Sequence, residues 1–378
     1  MPPPGPLPRR VEVVVVGGGI SGVSVLAALR ARDVDAVLLE RDHVASGASG
    51  RNAGFLLAGV AENYARAVDA YGRDVARAVW RFTLENHAMI VATLHDMLPQ
   101  VGYRAAGSLT VALDDDEAAS LDEAASLLGE DGLPGQLSAD RPPGARRALL
   151  NAGDGEVDPV RLVSALAAPH AARIHEGSAV TAIEPHGDGV EVHSVAGSMR
   201  ASRVVLATNA WIPQLAPGVP IRPVRAQMLA TAPAAALAGM ERPVYAEWGH
   251  RYWRRRDDGT VLVGGFRNRA SAAEVGYDLQ PTATVQAHLD RQLADLSVRA
   301  AVTHRWAGTM GFSLDGLPLV GDVDGTPHLS VCGGYTGHGL GFAVHCAAVL
   351  VAQLLDNTRL PSWLDAQRTF AWTVTEVG

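Results

Sequence analysis

The feature that most constrains the fold is a glycine-rich turn behind an apolar run near the start of the chain. Residues Val11–Val16 are almost continuously β-branched, which predicts a strand buried on both faces of a parallel sheet. Gly17, Gly19 and Gly22 follow in the spacing G-x-G-x-x-G, ahead of an Ala- and Leu-rich helix. Gly17 permits a tight turn, Gly19 lets backbone N–H groups approach a pyrophosphate, and Gly22 lets the helix pack closely on the strand.

An acidic residue completes this motif. A second apolar strand, predicted over Val34–Leu39, leads directly into Glu40. This spacing places Glu40 to accept hydrogen bonds from a ribose diol, while a pyrophosphate would bind at the positive end of the helix dipole. The strands, the turn, the helix and the acid together predict a dinucleotide site, to which Ile20, Ser21 and Arg41 also contribute.

A second cluster of small residues follows Glu40. Residues Ser46–Phe55 read SGASGRNAGF, where a nicotinamide enzyme would normally begin its next crossover helix. Small residues can lie close against a flat ring and offer N–H groups to it, whereas the alternative is a flexible surface loop. The cofactor contacts predicted in this segment are Ala48, Ser49, Arg51, Asn52, Ala53, Gly54 and Phe55.

A third set of glycine-rich segments lies near the other end of the chain. Residues Arg305–Gly311 read RWAGTMG, and residues Asp315–Gly321 read DGLPLVG. A strand is predicted over Leu329–Cys332, and the turn Gly333–Gly341 reads GGYTGHGLG ahead of an apolar helix over Phe342–Leu355.

With these segments the chain resembles the D-amino-acid oxidase (DAO) superfamily of FAD enzymes, and GASGRNAG looks most like the γ-glutamylputrescine oxidase branch. The resemblance covers residues 10–360. It implies an α/β fold (α+β overall) with a Rossmann-like, GR2-type FAD-binding domain and a second, β-sheet-rich substrate domain. FAD would be bound non-covalently, with the last glycine-rich turn aiming a helix N-terminus at the flavin pyrimidine edge. The further FAD contacts that it implies are Val180, Ala207, Thr208, Asn209, Trp211, Gly308, Met310, Gly334, Gly337, His338, Gly339, Leu340 and Gly341.

The chemistry implied is oxidation of a C–N bond of an amine or amino acid. A hydride would pass from the carbon beside nitrogen to flavin N5, giving an imine that water hydrolyses. The chain has one G-x-G-x-x-G, so the electrons should come from the bound small-molecule substrate and not from NAD(P)H. Two other readings stay open, namely an NAD-linked Rossmann dehydrogenase and an FAD-binding subunit without turnover.

Two departures from the family bear on the substrate. Glycine- and D-amino-acid-oxidising members bind the substrate carboxylate with an Arg after the Trp-x-Gly segment, where this chain has Met310. A second Arg, found in glycine oxidase, is matched by Gly337. We therefore expect an amine without that carboxylate, and polyamine-derived or secondary amines should react faster than glycine or D-alanine. The alternative is a glycine- or D-amino-acid-type dehydrogenase with a non-standard clamp, supplied by Arg225, Arg251, Arg254 or Arg267.

All 32 basic residues are Arg, and the chain contains no Lys. The lysine that promotes oxygen reduction in sarcosine-oxidase-like members is therefore missing, and their flavin-attaching Cys falls near Trp306. The electron acceptor is O2 or another oxidant. Arg51 and His338 are the candidates for positive charge near the ring, and Tyr252 matches a family position that faces the substrate. These three residues are the predicted catalytic residues.

Composition excludes several other classes of function. A net charge of −8 disfavours nucleic acid as a partner. Two cysteines, Cys332 and Cys346, show no metal-ligand spacing, so no metal is expected. No stretch reaches the roughly 18 uninterrupted apolar residues that a membrane helix requires. The Pro-rich start does not have the apolar core of a signal peptide, and a cytoplasmic location is expected.

The order of the segments predicts a discontinuous FAD-binding domain. The region from Arg222 to about Ala301 is β-rich, with a hairpin across Asp257–Gly259, and forms most of the substrate domain. The predicted division is a disordered tail over 1–9, the FAD-binding domain over 10–60, 150–215 and 302–365, the substrate domain over 61–149 and 216–301, and a C-terminal tail over 366–378.

Overall fold

The computed structural model describes residues 6–235 and 240–370 of the 378-residue chain. Its strands are β1 Arg10–Val16, β2 Ala36–Leu39, β3 Phe55–Leu56, β4 Ser108–Ala112, β5 Gln136–Leu137, β6 Arg147–Asn151, β7 Gly155–Glu156, β8 Ile174–His175, β9 Val180–His186, β10 Gly189–Ser194, β11 Gly197–Leu206, β12 Ile221–Pro233, β13 Val244–Ala246, β14 Arg251–Arg255, β15 Thr260–Gly265, β16 Val302–Ser313, β17 Leu319–Asp322 and β18 Leu329–Gly333. Its α-helices are α1 Ile20–Arg30, α2 Ala48–Arg51, α3 Tyr64–Tyr71, α4 Arg73–Thr93, α5 Asp115–Glu130, α6 Pro159–Ala167, α7 Ile212–Leu215, α8 Ala283–Asp295 and α9 Gly339–Asp356.

The first sheet has the order β17-β18-β11-β1-β2-β8, and the β9–β10 hairpin extends it from β11. The five strands from β18 to β8 are parallel to one another. Strand β17, at the edge beside β18, is antiparallel to it. Val16 and Leu206 end paired strands in the same register. The glycine-rich turn after β1 and the segment after β11 therefore leave the sheet side by side, where doubly wound sheets bind ligands.

The apolar residues of β1 explain its central place. Val14 and Val15 have no exposed surface and point to opposite faces, so both faces of the strand are covered. On one face, α1 and α9 pack together in the main core. The continuous β-branched run is thus a strand buried on both sides, as the sequence predicts.

The second sheet has the order β16-β12-β15-β14-β13-β4-β6-β5. The hairpin predicted across Asp257–Gly259 is present as β14 and β15. Helix α8 packs on β12 and β15. The sequence predicted this region to be β-rich and did not predict the helix. Its buried residues Val285, Leu289 and Leu293 cover one face of the sheet.

Two segments make contacts across the predicted domain division. Strand β16 pairs along its whole length with β12 in the second sheet, although the predicted boundary at residue 302 assigned it to the FAD-binding domain. Helix α4 packs on α9, where Asn86 Nδ2 donates to the carbonyl oxygen of Leu340 at 2.9 Å. Segments of the two predicted domains therefore pack together more extensively than the sequence division suggests. The two-domain division itself stays a prediction.

The termini and the longest apolar helix complete the description. Residues 6–9 and 366–370 lie outside regular elements, and the rest of both predicted tails is outside the described residues. Helix α9 is long and apolar enough to cross a membrane by length and composition alone. Its residues Phe342, Cys346 and Leu350 are buried against the rest of the chain, as in the core helix of a globular protein.

Candidate active site

A cavity of about 520 Å³ lies between the ends of β1 and β11 and the strands of the second sheet. Most of the predicted cofactor residues line it, whereas three of them, Gly22, Gly54 and Gly334, do not. The lining residues that the sequence predicted are Gly17, Gly19, Ile20, Ser21, Glu40, Arg41, Ala48, Ser49, Arg51, Asn52, Ala53, Phe55, Val180, Ala207, Thr208, Asn209, Trp211, Tyr252, Gly308, Met310, Gly337, His338, Gly339, Leu340 and Gly341.

The first glycine-rich turn has the tight geometry that its spacing implies. Gly17 has φ +109°, a conformation that side chains disfavour. A Cβ at Gly22 would lie 1.8 Å from the carbonyl oxygen of Gly17, so Gly22 serves the packing of α1 and not the cavity wall. Only glycine can occupy this position without moving the turn.

The N-terminus of α1 faces the cavity and has no side-chain cap from Gly19. Ser49 Oγ instead accepts a hydrogen bond from the backbone N–H of Ile20 at 3.0 Å. A Cβ at Gly19 would lie 2.9 Å from that same oxygen. The small-residue segment is therefore not a loose surface loop, because it packs directly against the nucleotide-binding turn.

Glu40 fixes the turn from the other side. Its Oε2 accepts the backbone N–H of Gly18 at 2.5 Å, and its Oε1 accepts that of Asp42 at 2.8 Å. The carboxylate is nearly buried and lines the cavity. Each carboxylate oxygen can accept a further hydrogen bond, so the predicted contact with a ribose is compatible with this geometry.

Arg51 and Trp306 link the small-residue segment to β16. Arg51 Nε donates to the carbonyl oxygen of Ser46 at 2.8 Å, and its Nη1 donates to that of Ala307 at 3.0 Å. Trp306 Nε1 donates to the carbonyl oxygen of Arg51 at 2.9 Å. Arg51 therefore holds two chain segments together at the cavity wall, a positioning role that the sequence did not indicate.

The last glycine-rich turn brings His338 to the start of α9. Burial, with a smaller contribution from the nearby charge of Arg267, lowers the pKa of His338 to about 4. The imidazole of the described structure is therefore neutral at pH 7, whereas the sequence suggested a positive charge at this position. Its Nδ1 lies 3.5 Å from the carbonyl oxygen of Thr336, while its buried Nε2 has no partner among residues 6–235 and 240–370.

The two positions that lack the family's arginines lie next to each other. A Cβ at Gly337, which has φ +93°, would be 3.4 Å from Met310 Sδ. Both residues line the cavity. This part of the wall is therefore apolar where related enzymes that oxidise glycine or D-amino acids are expected to have positive charge.

Aromatic side chains form the wall beneath the second sheet. The ring of Phe55 meets those of Tyr245 and Tyr252 edge-on, with centroids 5.4 and 6.2 Å apart. A Cβ at Gly264 would lie 2.2 Å from the Tyr252 ring, so the glycine makes room for it. Burial raises the pKa of Tyr252 to about 12 and also raises that of Tyr245. Both phenols are protonated at neutral pH, and Tyr245 was not predicted because its strand carries no motif.

The four arginines considered as carboxylate clamps have different surroundings. Arg225 Nε donates to Glu274 at 2.9 Å, and Arg251 Nε donates to Gln292 at 2.7 Å. Arg254 Nη2 donates to the carbonyl oxygen of Val157 at 2.9 Å, and its Nη1 lies 3.4 Å from Glu156. These three do not line the cavity, whereas Arg267 does.

The site contains no thiol and no metal-binding cluster in the part of the chain that the structure describes. Cys332 and Cys346 lie on β18 and α9, are fully buried, and do not line the cavity. Burial raises the pKa of Cys332 to about 12, so it is an unreactive thiol. Three or more His, Cys, Asp or Glu side chains do not converge anywhere among those residues.

The remaining lining residues suit a flavin nucleotide. The N-termini of α1 and α9 both reach the cavity, and neither has a side-chain cap from its N-cap residue. The hydroxyl of Thr208 in the wall is buried and has no hydrogen-bond partner in the described structure. Further along, the guanidinium of Arg41 lies over the Trp211 ring at 5.0 Å. Anion-binding groups, a small-residue wall and unsatisfied donors are what a long, phosphate-bearing cofactor requires.

Comparison with known proteins agrees with this geometry. Residues 12–354 match the DAO family model, described as FAD dependent oxidoreductase. The chain is 27% identical to the probable oxidoreductase OrdL of Rhizobium meliloti, with 89% of the chain and 81% of that protein covered. It is 28% identical to the gamma-glutamylputrescine oxidoreductase of Escherichia coli, with 91% and 83% covered. The crystal structure of glycine oxidase from Geobacillus kaustophilus superposes with a TM-score of 0.77 at 21% identity, covering 97% of this chain and 98% of that one. The chain therefore belongs to the DAO family and is an FAD-dependent oxidoreductase of the amine and amino-acid oxidase kind.

Proposed function

We propose that this enzyme oxidises the C–N bond of an amine or amino acid to an imine, which water then hydrolyses. The observation that carries the proposal is one cavity whose wall includes both the nucleotide-binding turn at Gly17 and the tyrosines Tyr245 and Tyr252 of the second sheet. A small amine at the aromatic end would lie in the same cavity as the cofactor. Gamma-glutamylputrescine oxidoreductase, by its name, acts on such an amine.

The residues at the two ends of the cavity have different tasks. FAD, when bound, supplies the oxidising power by accepting a hydride from the carbon attached to nitrogen. The N-terminus of α1 and Glu40 would hold its pyrophosphate and ribose. The N–H groups at the start of α9 stabilise negative charge at their end of the cavity, by about 0.3–1 kcal/mol for the helix dipole and up to about 2 kcal/mol when partly buried.

The substrate end of the site orients a neutral amine and keeps water away. Phe55, Leu57 and Met228 contribute apolar surface to the wall. His338 is neutral, and with its proton on Nδ1 its free Nε2 is an acceptor for an amine N–H. A neutral amine is required because the nitrogen lone pair stabilises the carbon that loses the hydride.

The test is to mix the purified enzyme anaerobically with a panel of amines and amino acids and to follow the flavin absorbance. Bleaching by any member of the panel supports the proposal. Re-oxidation by air would then identify an oxidase, and re-oxidation only by an artificial acceptor would identify a dehydrogenase. A flavin that no member bleaches would favour an FAD-binding subunit without turnover.

A further inference from the structure

Arg267 is the cavity-lining arginine whose charge has no partner among the described residues. The two other arginines in the wall are engaged, since Arg41 Nε donates to Asp42 at 3.1 Å and Arg51 donates to two carbonyl oxygens. The guanidinium of Arg267 makes no hydrogen bond or ion pair within residues 6–235 and 240–370, and its Nε is buried. Arg267 is half-buried, and a cation that is partly removed from water without a partner destabilises a fold, so its presence needs a reason.

The surroundings of Arg267 aim its charge at the cavity. It follows β15 in a single helical turn, directly after Phe266, whose φ of +60° is unusual for a bulky residue. The guanidinium lies over the ring of Phe312, 5.5 Å from its centroid. A cation on one aromatic face keeps its N–H groups free at its edge for another partner.

Neutral groups surround the charge. Tyr245, Tyr252 and His338 are close enough to interact electrostatically with Arg267, and all three line the same cavity. Because both phenols stay protonated and the imidazole stays neutral at pH 7, none of them compensates the positive charge. Burial lowers the pKa of Arg267, but an arginine side chain remains charged in proteins.

We infer that Arg267 binds a carboxylate of the substrate, so that the enzyme acts on amines that carry a carboxylate group. A guanidinium presents two parallel N–H groups that match the two oxygens of a carboxylate. The positively charged side chain is supplied by the residue that follows β15, and not by the apolar part of the wall at Met310 and Gly337. A substrate without a carboxylate was expected only because Met310 and Gly337 stand where the family has arginines. Arg267 supplies the positive charge from another position, so this inference replaces that expectation. It rests on the proposed function.

The binding test uses ligands that cannot react. Sodium butyrate and butyramide have the same shape but differ in charge, and each is titrated into the FAD-loaded enzyme while the flavin absorbance spectrum is followed. The wild-type enzyme should bind butyrate more tightly than butyramide. Arg267→Met should raise the Kd for butyrate by at least about 30-fold and leave that for butyramide within about 3-fold.

The control variant is Arg269→Met. Arg269 is on the same turn, but it is half exposed and pairs with Glu247. It should bind butyrate like the wild type. Since Arg267 has no hydrogen-bond or ion-pair partner among the described residues and loses only its contact with the Phe312 ring, Arg267→Met should also keep its FAD content and melt within a few degrees of the wild type.

The turnover test compares matched amines by anaerobic bleaching. The pairs are 4-(methylamino)butanoate with N-methylbutylamine, and N-methylglycine with N-methylethylamine. The carboxylate-bearing member of at least one pair should react faster in the wild type, and Arg267→Met should remove that preference. Equal butyrate affinity in Arg267→Met and the wild type would overturn the inference, as would loss of FAD with unchanged selectivity.

The two proposals fail in different ways. Butyrate binding that depends on Arg267, without bleaching by any amine, would leave the carboxylate site standing and remove the amine chemistry. Flavin bleaching at equal rates by amines with and without a carboxylate would support the amine chemistry and exclude the proposed role of Arg267.

Discussion

Ser49 Oγ accepts the backbone N–H of Ile20 at 3.0 Å, and this hydrogen bond joins two segments that are each short and glycine-rich in the sequence. It satisfies one of the free N–H groups at the start of α1. The cofactor site thus forms where two local motifs meet. Its stability depends on their contact as well as on each turn.

Ser49→Ala should weaken this junction. The variant loses one side-chain acceptor at a helix N-terminus, which typically costs about 1 kcal/mol. We expect a lower melting temperature in thermal unfolding of the apoprotein. Ser126→Ala on the exposed side of α5 is the control and should melt with the wild type. Equal melting of all three proteins would show that the contact contributes nothing.

Gly22→Ala should disrupt the turn itself. Its new methyl group would lie 1.8 Å from the carbonyl oxygen of Gly17, and overpacking of this kind costs about 1–3 kcal/mol or more. The variant should contain less FAD after purification, measured by flavin absorbance per protein. Gly129→Ala in α5 meets no atom within 4 Å and should gain about 0.5–1 kcal/mol in stability. A Gly22→Ala protein that is fully loaded with FAD would contradict the close packing seen here.

Asp154→Asn should stabilise the protein at high pH. Burial raises the pKa of Asp154 to about 7, although Ser108 Oγ and the N–H of Ala58 both donate to it. The folded state therefore holds a proton that the unfolded state releases near pH 4, and stability falls as pH rises from about 4 to 7. Asn accepts the N–H of Ala58 through Oδ1, donates through Nδ2 to Ser108 Oγ, and does not titrate.

Urea unfolding at pH 8 should show Asp154→Asn more stable than the wild type by about 2–4 kcal/mol, with the difference shrinking toward pH 5. Asp356→Asn removes an exposed ion pair with Arg32 and should leave the urea midpoint close to that of the wild type at either pH. A gain that is the same at both pH values would mean that Asp154 does not titrate in this range.

Tyr252→Phe tests whether the phenol contacts the substrate. The variant keeps the ring over Gly264 and beside Phe55, so its FAD content should not change. Loss of one hydrogen bond to the substrate should raise KM about 3- to 30-fold. Tyr277→Phe is the control, because Tyr277 donates to the carbonyl oxygen of Ala210 and does not line the cavity. Unchanged KM in Tyr252→Phe would exclude the contact.

The sequence predicts the parts of the site that depend on local patterns. Val16 at the end of the β-branched run, Glu40 and the turn at Gly337 all line the cavity, because glycine spacing and strand ends are set by neighbouring residues. The FAD contacts near the C-terminal end of the chain were predicted from the resemblance to the DAO family. The family match confirms that resemblance.

The site residues that the sequence missed or could not single out are brought to the cavity by long-range strand pairing. Tyr245 enters the wall because β13 pairs with both β4 and β14, and Arg267 enters because β15 ends beside β14. Neither residue stands in a motif, and sequence alone cannot distinguish Arg267 from the ion-paired Arg225. The neutrality of His338 likewise depends on burial by distant segments.

The most direct test of the account is anaerobic reduction of the bound flavin by small amines. The purified enzyme is mixed with the amine and amino-acid panel, and the flavin absorbance is recorded over time. The account predicts that at least one carboxylate-bearing amine bleaches the flavin within the time of catalytic turnover. Flavin absorbance that no amine or amino acid changes would contradict it.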